Sequence, residues 1–120
     1  MRVSEDYRIL GRHHDDRRPT GFDYNGVLFS QDSLNVLAGL CAADVPEHVE
    51  QMLKALRDQG QVCTRMGAYK PRTNPYSFQG HGKACLPWVF ELAGKYGIKV
   101  IAMEITHDSH LDEIQEALEK

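Results

Sequence analysis

The chain has 120 residues, of which 42% are hydrophobic and 26% charged, and its formal net charge is −3. This composition is typical of a globular protein and gives no reason to expect a nucleic acid or an anionic membrane as partner. No apolar run approaches the ~20 residues of a membrane span, and the N-terminus lacks a signal peptide's apolar stretch. Three cysteines without a CxxC pair favour a reducing, cytoplasmic location over a disulfide framework.

The first segment, residues 1–20, is polar and ends in a cluster of charges. His13 and His14 stand beside Asp15 and Asp16, a composition that metal sites share. Adjacent residues on an exposed segment point in different directions, so a solvated surface is the favoured interpretation. The same interpretation applies to three later histidines, His81, His107 and His110.

A β-hairpin is predicted over residues 21–32. Asn25 and Gly26 separate two short runs of β-prone residues. An Asn-Gly pair is typical of a two-residue hairpin turn, because both of its positions require positive φ. The hairpin therefore forms a segment of its own before the main domain.

Residues 33–120 alternate between strand and helix patterns three times. Apolar runs predict strands at 34–42, 61–68 and 99–105; apolar residues at helical spacing predict helices from Pro46 to Gly60, over 83–96, and from Asp108 or Ser109 onwards. Repeated βαβ units imply parallel strands joined by right-handed crossovers. The predicted fold class is therefore α/β, with three parallel βα units that cannot close a barrel by themselves.

The loop at residues 67–82 reads Gly-Ala-Tyr-Lys-Pro-Arg-Thr-Asn-Pro-Tyr-Ser-Phe-Gln-Gly-His-Gly. Lys70 and Arg72 flank Pro71, which places an ammonium and a guanidinium side by side. Such a pair suits a phosphate or carboxylate, since Arg binds oxyanions bidentately and Lys as a compact charge. Pro71 and Pro75 stiffen the backbone by fixing φ. The alternative interpretation of these residues is a solvated turn that carries two cations.

The loop resembles, almost residue for residue, the signature loop of the 3-deoxy-7-phosphoheptulonate (DAHP) synthase family. The match is to the branch related to 3-deoxy-octulosonate 8-phosphate synthase, which shares the S-F-x-G-H-G ending but lacks the K-P-R-T found here at residues 70–73. The family condenses phosphoenolpyruvate with erythrose 4-phosphate at the start of the shikimate pathway, in aromatic amino acid biosynthesis. A (β/α)8 barrel needs roughly 250 residues. The resemblance thus implies a partial (β/α)8 TIM barrel, its N-terminal half, over residues 33–120.

The resemblance also implies roles for individual residues. It assigns Arg65 and Lys70 to phosphoenolpyruvate, and Lys70 also to catalysis at the aldehyde. The erythrose phosphate is bound by the run Lys70, Pro71, Arg72 and Thr73, and Glu104 matches a glutamate at the phosphoenolpyruvate site. A charged residue such as Arg65 within an apolar strand is costly to bury without an anionic partner. That partner is either the ligand or Glu104, which is then a structural counter-charge.

Cys41 is the candidate metal ligand. The segment Ala-Gly-Leu-Cys-Ala at residues 38–42 resembles the family's A-G-P-C motif, whose cysteine binds a divalent metal, manganese or a similar ion. Leu40 here replaces the family's proline. The alternative for Cys41, as for Cys63 and Cys85, is packing as a small apolar residue. In the family a histidine, a glutamate and an aspartate from the second half complete the metal shell, so this chain alone is predicted not to catalyse the condensation.

Three functional hypotheses remain. The chain is the N-terminal half of a DAHP synthase, inactive alone or complemented by a second-half chain; it is a non-catalytic module that binds a phosphorylated metabolite; or it is an assembly protein. The first two predict ligand contacts by the basic residues, and the third predicts none. Since exposed strand edges promote association, all three predict a homo-oligomer.

Overall fold

The computed structural model describes residues 21–119, so the predicted polar segment at 1–20 lies outside the described residues. The described residues divide into two compact units, 21–34 and 35–119. In chain order the elements are β1 (Phe22–Tyr24), β2 (Val27–Phe29), α1 (Pro46–Asp58), β3 (Cys63–Arg65), a 3-10 helix (Gly82–Cys85), α2 (Leu86–Lys95), β4 (Val100–Ala102) and α3 (Ser109–Leu118). None of the described helices is long and apolar enough to cross a bilayer.

The hairpin in the first unit has the predicted turn. Strands β1 and β2 are antiparallel, with Phe22 opposite Phe29. Asn25 and Gly26 have φ values of 51° and 74°, which satisfies the turn's requirement for positive φ at both positions. The rings of Phe22 and Phe29 stack at 5.0 Å between centroids and stabilise the ends of the two strands.

The second unit contains a small parallel sheet, but the strand predicted over 34–42 is wrong. Strands β3 and β4 are parallel, with Cys63 opposite Val100. The predicted first strand is reduced to two isolated parallel bridges on the other side of β3, Ala38 to Thr64 and Ala42 to Gly67. This segment therefore lies beside β3 in the expected order and direction without forming a continuous ladder.

Two side chains of β3 contact this segment in addition to the bridges. The Ala38 carbonyl accepts the Thr64 hydroxyl at 2.7 Å, and the Leu40 carbonyl accepts the Arg65 guanidinium at 3.2 Å. The predicted strands at 61–68 and 99–105 are also shortened, to Cys63–Arg65 and Val100–Ala102.

Helices α1 and α2 supply most of the core. Val49 and Leu53 on α1 and Leu86 and Val89 on α2 are fully buried, at the i, i+3, i+4 spacing of one helix face. Each such side chain stabilises the fold by roughly 1.5–3 kcal/mol. The core thus lies between the two helices and the sheet segments, and it includes Met66 just after β3.

The helix predicted over 83–96 differs at its start. Residues Gly82–Cys85 form a 3-10 turn, and the α-helix proper begins at Leu86. Pro87 explains the change, because its ring clashes with the carbonyl four residues earlier and it has no N–H to donate. Further along, Asp108 at the start of α3 makes no side-chain capping hydrogen bond. The ring Nδ1 of His107 accepts the Ser109 N–H at 3.2 Å instead.

Candidate anion-binding site

The loop at residues 67–82 closes on itself at its base. The Lys70 N–H donates to the Gln79 carbonyl at 3.0 Å, and the Gly82 N–H donates to the Ala68 carbonyl at 2.9 Å. The His81 ring Nε2 lies 2.7 Å from the Asp44 carbonyl, just before α1. The base of the loop is thus held at two points, while residues 71–76 between them are exposed.

Lys70 is buried at the base of this loop, and its side chain is only 3% exposed. Its ammonium donates to the Cys41 carbonyl at 2.5 Å and to Oε1 of Glu104. These partners lie on the segments that flank β3 on either side. A buried ammonium would be strongly destabilising unless it were paired and hydrogen-bonded, so the paired Glu104 carboxylate allows the cation to remain there.

Glu104 is the negative centre of the site. The hydrogen bond from Lys70 is the main cause that holds the pKa of the Glu104 carboxyl below its ordinary value, against the opposing effect of burial. The Arg65 guanidinium adds to this effect from 3.9 Å. Glu104 is thus the counter-charge of Lys70 and Arg65, and its contact with a ligand stays a prediction.

Gly67 lies directly beside this ion pair. A Cβ at residue 67 would lie 2.8 Å from Oε1 of Glu104 and even closer to Nζ of Lys70. Contacts this short do not occur for real Cβ atoms, so any side chain would displace the two charged groups. The glycine therefore lets the chain pass directly beside the pair.

Cys41 is exposed and lies near the same cations. Its thiol pKa is lowered, mainly by the charge of Lys70 and also by a hydrogen bond from Arg65 and the charge of Arg72. The other two cysteines, Cys63 and Cys85, are buried, and burial raises their pKa. Among the three, Cys41 combines an exposed side chain with a lowered thiol pKa, the two properties that favour reactivity or metal binding.

The described residues provide only part of a metal shell. Within residues 21–119, no group of three or more His, Cys, Asp or Glu side chains could hold a metal ion. The chemistry of Cys41 fits a single ligand position for manganese or a similar ion.

Comparison with known proteins gives the family. A model of the DAHP synthetase I family matches residues 18–119. The chain belongs to the DAHP synthetase I family. The resemblance seen in the loop sequence is thereby confirmed over almost the whole length of the chain.

Comparison with two similar proteins shows what share of a relative's length the chain covers. It is 34% identical over 110 residues to a phospho-2-dehydro-3-deoxyheptonate aldolase of Thermotoga maritima, covering 90% of this chain and 32% of that protein. A crystal structure of a phospho-2-dehydro-3-deoxyheptonate aldolase (DAHP synthase) from Thermotoga maritima superposes with a TM-score of 0.72 at 33% identity, over 82% of this chain and 28% of that chain. The chain therefore spans about a third of the length of these DAHP synthase relatives.

The predicted site residues fall into two groups in this DAHP synthetase family member. Arg65, Lys70, Glu104 and Cys41 are brought together at one edge of the sheet. Pro71, Arg72 and Thr73 are exposed on the projecting part of the loop. Arg72 is nevertheless close enough for its charge to lower the pKa of Cys41, so the positive charge extends from the buried base to the exposed tip.

Sequence reasoning missed a set of residues behind the site. Tyr69 is buried and contacts Glu113 and His110 of α3. The sequence predicts a surface position for His110, whereas the structure makes it partly buried against the Tyr69 ring. The feature of the sequence that could have indicated these contacts is the tyrosine directly before Lys70, because a buried tyrosine hydroxyl usually finds a hydrogen-bond partner. The identity of that partner depends on how α3 packs.

Proposed function

We propose that this chain provides the phosphoenolpyruvate and erythrose 4-phosphate binding elements of a DAHP synthase. In this proposal residues 33–120 are the N-terminal part of a (β/α)8 barrel, built from three parallel βα units and preceded by the hairpin. The main support is the buried Lys70 ammonium, which is hydrogen-bonded between Glu104 and the Cys41 carbonyl at the base of the family's signature loop. Ligands of such barrels bind at the carboxyl ends of the strands, which is where β3 leads into this loop.

The residues have distinct roles in this proposal. Arg65, whose side chain is 41% exposed, offers a planar guanidinium to the carboxylate or phosphate of phosphoenolpyruvate. Lys70 adds a second cation to the same ligand and donates a hydrogen bond to the aldehyde oxygen of the second substrate. Glu104 keeps both cations in place. The exposed run Pro71, Arg72 and Thr73 receives the phosphate of erythrose 4-phosphate.

Cys41 would be one ligand of a divalent metal such as manganese. When bound, such an ion polarises a carbonyl oxygen as a Lewis acid. The family's remaining metal ligands come from the second half of its barrel, and residues 21–119 offer no cluster of three ligands. We therefore propose that these residues by themselves do not catalyse the condensation. Activity would then require a complementing chain that supplies the other ligands.

A second candidate function is a non-catalytic module that binds a phosphorylated metabolite. The site has more groups that bind anions than groups that bind a metal, and this favours the non-catalytic module as the alternative. The candidate site includes a buried, paired cation and the guanidinium groups of Arg65 and Arg72, whereas it provides a single candidate metal ligand. Binding of an anion and catalysis are therefore separable properties of this chain.

Calorimetric titration of the purified chain with phosphoenolpyruvate, with and without manganese, tests the proposal. We expect saturable binding that is weakened about tenfold or more in Lys70→Ala and Arg65→Ala, because each charge-assisted hydrogen bond contributes roughly 1.5–3 kcal/mol. Lys54→Ala, which removes an exposed lysine of α1, is the matched control and should bind as the wild type does.

Two further variants separate the roles. Arg72→Ala should weaken binding of erythrose 4-phosphate more than that of phosphoenolpyruvate, and Cys41→Ser should abolish any effect of manganese. Absence of heat at millimolar phosphoenolpyruvate in the wild type would contradict the proposal. In that case the loop keeps the family's sequence without binding a ligand, and the hypothesis that the chain is an assembly protein takes precedence.

A further inference from the structure

A cluster of three side chains, Tyr69, His110 and Glu113, lies directly behind the candidate site; we call it the Tyr69 cluster. Tyr69 is 6% exposed, and its hydroxyl donates to Oε2 of Glu113 at 2.6 Å. Its ring stacks on the His110 ring, with 3.7 Å between centroids and 10° between planes. Residue Tyr69 is thus held both by a hydrogen bond and by a face-to-face contact with α3.

The Tyr69 cluster contacts both chain segments that carry the buried ion pair. Tyr69 immediately precedes Lys70 and contacts α3, while Lys70 contacts Glu104 and the Cys41 carbonyl. On the second segment, the Thr106 N–H donates to Nδ1 of His110 at 3.2 Å, two residues after Glu104. The Tyr69 cluster therefore links the backbone beside Lys70 to the backbone beside Glu104.

We propose that Tyr69, His110 and Glu113 are positioning residues that set the geometry of Lys70 against Glu104 from behind the site. The inference rests on the proposed function for its ligand, phosphoenolpyruvate, but the geometry of the ion pair is measurable without any ligand. None of the three side chains is assigned a contact with substrate.

The arrangement of the cluster suits this role. His110 and Glu113 are three residues apart on α3, so they lie on the same helix face and present a fixed surface to the Tyr69 ring. The Tyr69 phenol stays a hydrogen-bond donor over the whole neutral range, since burial, and then the Glu113 carboxylate, raise its pKa. A charge-assisted hydrogen bond such as that between Lys70 and Glu104 is short and directional, and small displacements of either segment would weaken it.

A neighbouring ion pair provides the control. Lys83 contacts Glu116 at 2.6 Å, one turn beyond Glu113 on the same helix, and both side chains of that pair are about half exposed. Exposed ion pairs contribute little. Glu116→Gln therefore removes the same charge as Glu113→Gln from the same helix without touching Tyr69.

The test compares Tyr69→Phe and Glu113→Gln with Glu116→Gln and the wild type. Tyr69→Phe keeps the ring stacked on His110 and removes only the donor. In the ligand-free proteins, NMR of the ¹⁵N-labelled lysine ammonium groups should show a protected Lys70 resonance in the wild type and in Glu116→Gln. We expect this resonance to broaden or vanish in the two cluster variants, and the double variant to be no worse than either single one.

Phosphoenolpyruvate titrations on the same proteins give the second measurement. We expect binding about tenfold weaker in Tyr69→Phe and Glu113→Gln, in keeping with the loss of one hydrogen bond to a charged group, and unchanged in Glu116→Gln. An unaltered Lys70 resonance in both cluster variants would overturn the inference, whether or not phosphoenolpyruvate binds.

The two proposals fail in different ways. If the wild type does not bind phosphoenolpyruvate but the cluster variants lose the Lys70 resonance, the proposed function fails and the positioning role stands. If Tyr69→Phe does not fold, Glu113→Gln decides alone, because Glu113 is only partly buried and its replacement preserves the size of the side chain.

Discussion

Lys70 has the most demanding environment of the charged residues in the described part of the chain. It is the one charged residue in residues 21–119 that counts as buried, at 7% exposure. Its ammonium donates hydrogen bonds to the Glu104 carboxylate and to the Cys41 carbonyl. Lys70 therefore links the two segments that flank β3 through one buried charge.

Gly67→Ala should disturb the ion pair between Lys70 and Glu104. The added Cβ would lie within 3 Å of the Glu104 carboxylate, so we expect a loss of about 1–3 kcal/mol in unfolding free energy, as for other overpacked sites. Gly94→Ala is the control, because no atom lies within 4 Å of its added Cβ and it lies within α2, where alanine stabilises by roughly 0.5–1 kcal/mol. Urea denaturation measures both; equal effects in the two variants would contradict the close packing described at Gly67.

The pH dependence of stability should also reflect Glu104. Its pKa is lower in the folded protein than its ordinary value of 4.5, so the unfolded state binds protons first as the pH falls. The stabilisation is therefore fully present above that ordinary value and is lost as the pH falls through the lower, folded-state pKa.

In Lys70→Met the main cause of the lowered Glu104 pKa is gone, so we expect a flatter decline of unfolding free energy with acidification. Asp44 and Glu50 also have lowered pKa values, and their contributions cancel when the two proteins are compared. Chemical denaturation at a series of acidic pH values measures the difference. Parallel curves for wild type and variant would show that the pair does not lower the Glu104 pKa.

At the scale of elements, the helices are determined by local pattern and the strands are not. Helix α1 begins at Pro46 and ends before Gly60, whose φ of 69° suits a left-handed stop. Its apolar face is read directly from the spacing of Val49, Leu53 and Leu56. Strands of three residues, by contrast, leave little periodicity to read.

Leu53→Ala should measure how much the α1 contact contributes. Leu53 is fully buried, and its truncation leaves a cavity between α1 and its neighbours, at a cost of about 2–5 kcal/mol. Leu118→Ala on α3 is the matched control, since Leu118 is 58% exposed and should change the unfolding free energy by less than about 0.5 kcal/mol. Similar losses in both variants would mean that α3 is covered in solution.

At the scale of the whole molecule, the second unit leaves apolar surface uncovered. Val36 is 49% exposed and Ile105 40%, and both flank the short parallel sheet. Within residues 21–119, β4 pairs with β3 alone, so its other edge is open to another strand. Open edges and apolar surface of this kind favour association.

We therefore expect the 120-residue polypeptide to form a homodimer or larger assembly at micromolar concentration. Sedimentation velocity over a range of concentrations measures this, and replacement of Val36 by lysine should shift the distribution towards the monomer. Sedimentation of the wild type as a monomer throughout that range would refute the expectation. The complementing-chain hypothesis would then predict that a partner, when added, forms a one-to-one complex instead.

The sequence by itself determined the family, the α/β class, the Asn25–Gly26 turn and the approximate helices. These depend on local features: a long contiguous motif, a turn pair that needs positive φ, and apolar residues at helical spacing. The basic character of residues 65–72 was also evident, because charge is a property of composition. The boundaries of the strands were not, since strand pairing depends on contacts between residues that are distant in the sequence.

Only the tertiary structure decided how the site is assembled. It placed Lys70 between Glu104 and the Cys41 carbonyl, and it turned the predicted strand at 34–42 into two bridges. It also brought His110 and Glu113 of α3 against Tyr69. The physical reason is the same in each case. A buried polar group finds its partner 25 to 44 positions away in the sequence, and packing, which no local pattern encodes, selects that partner.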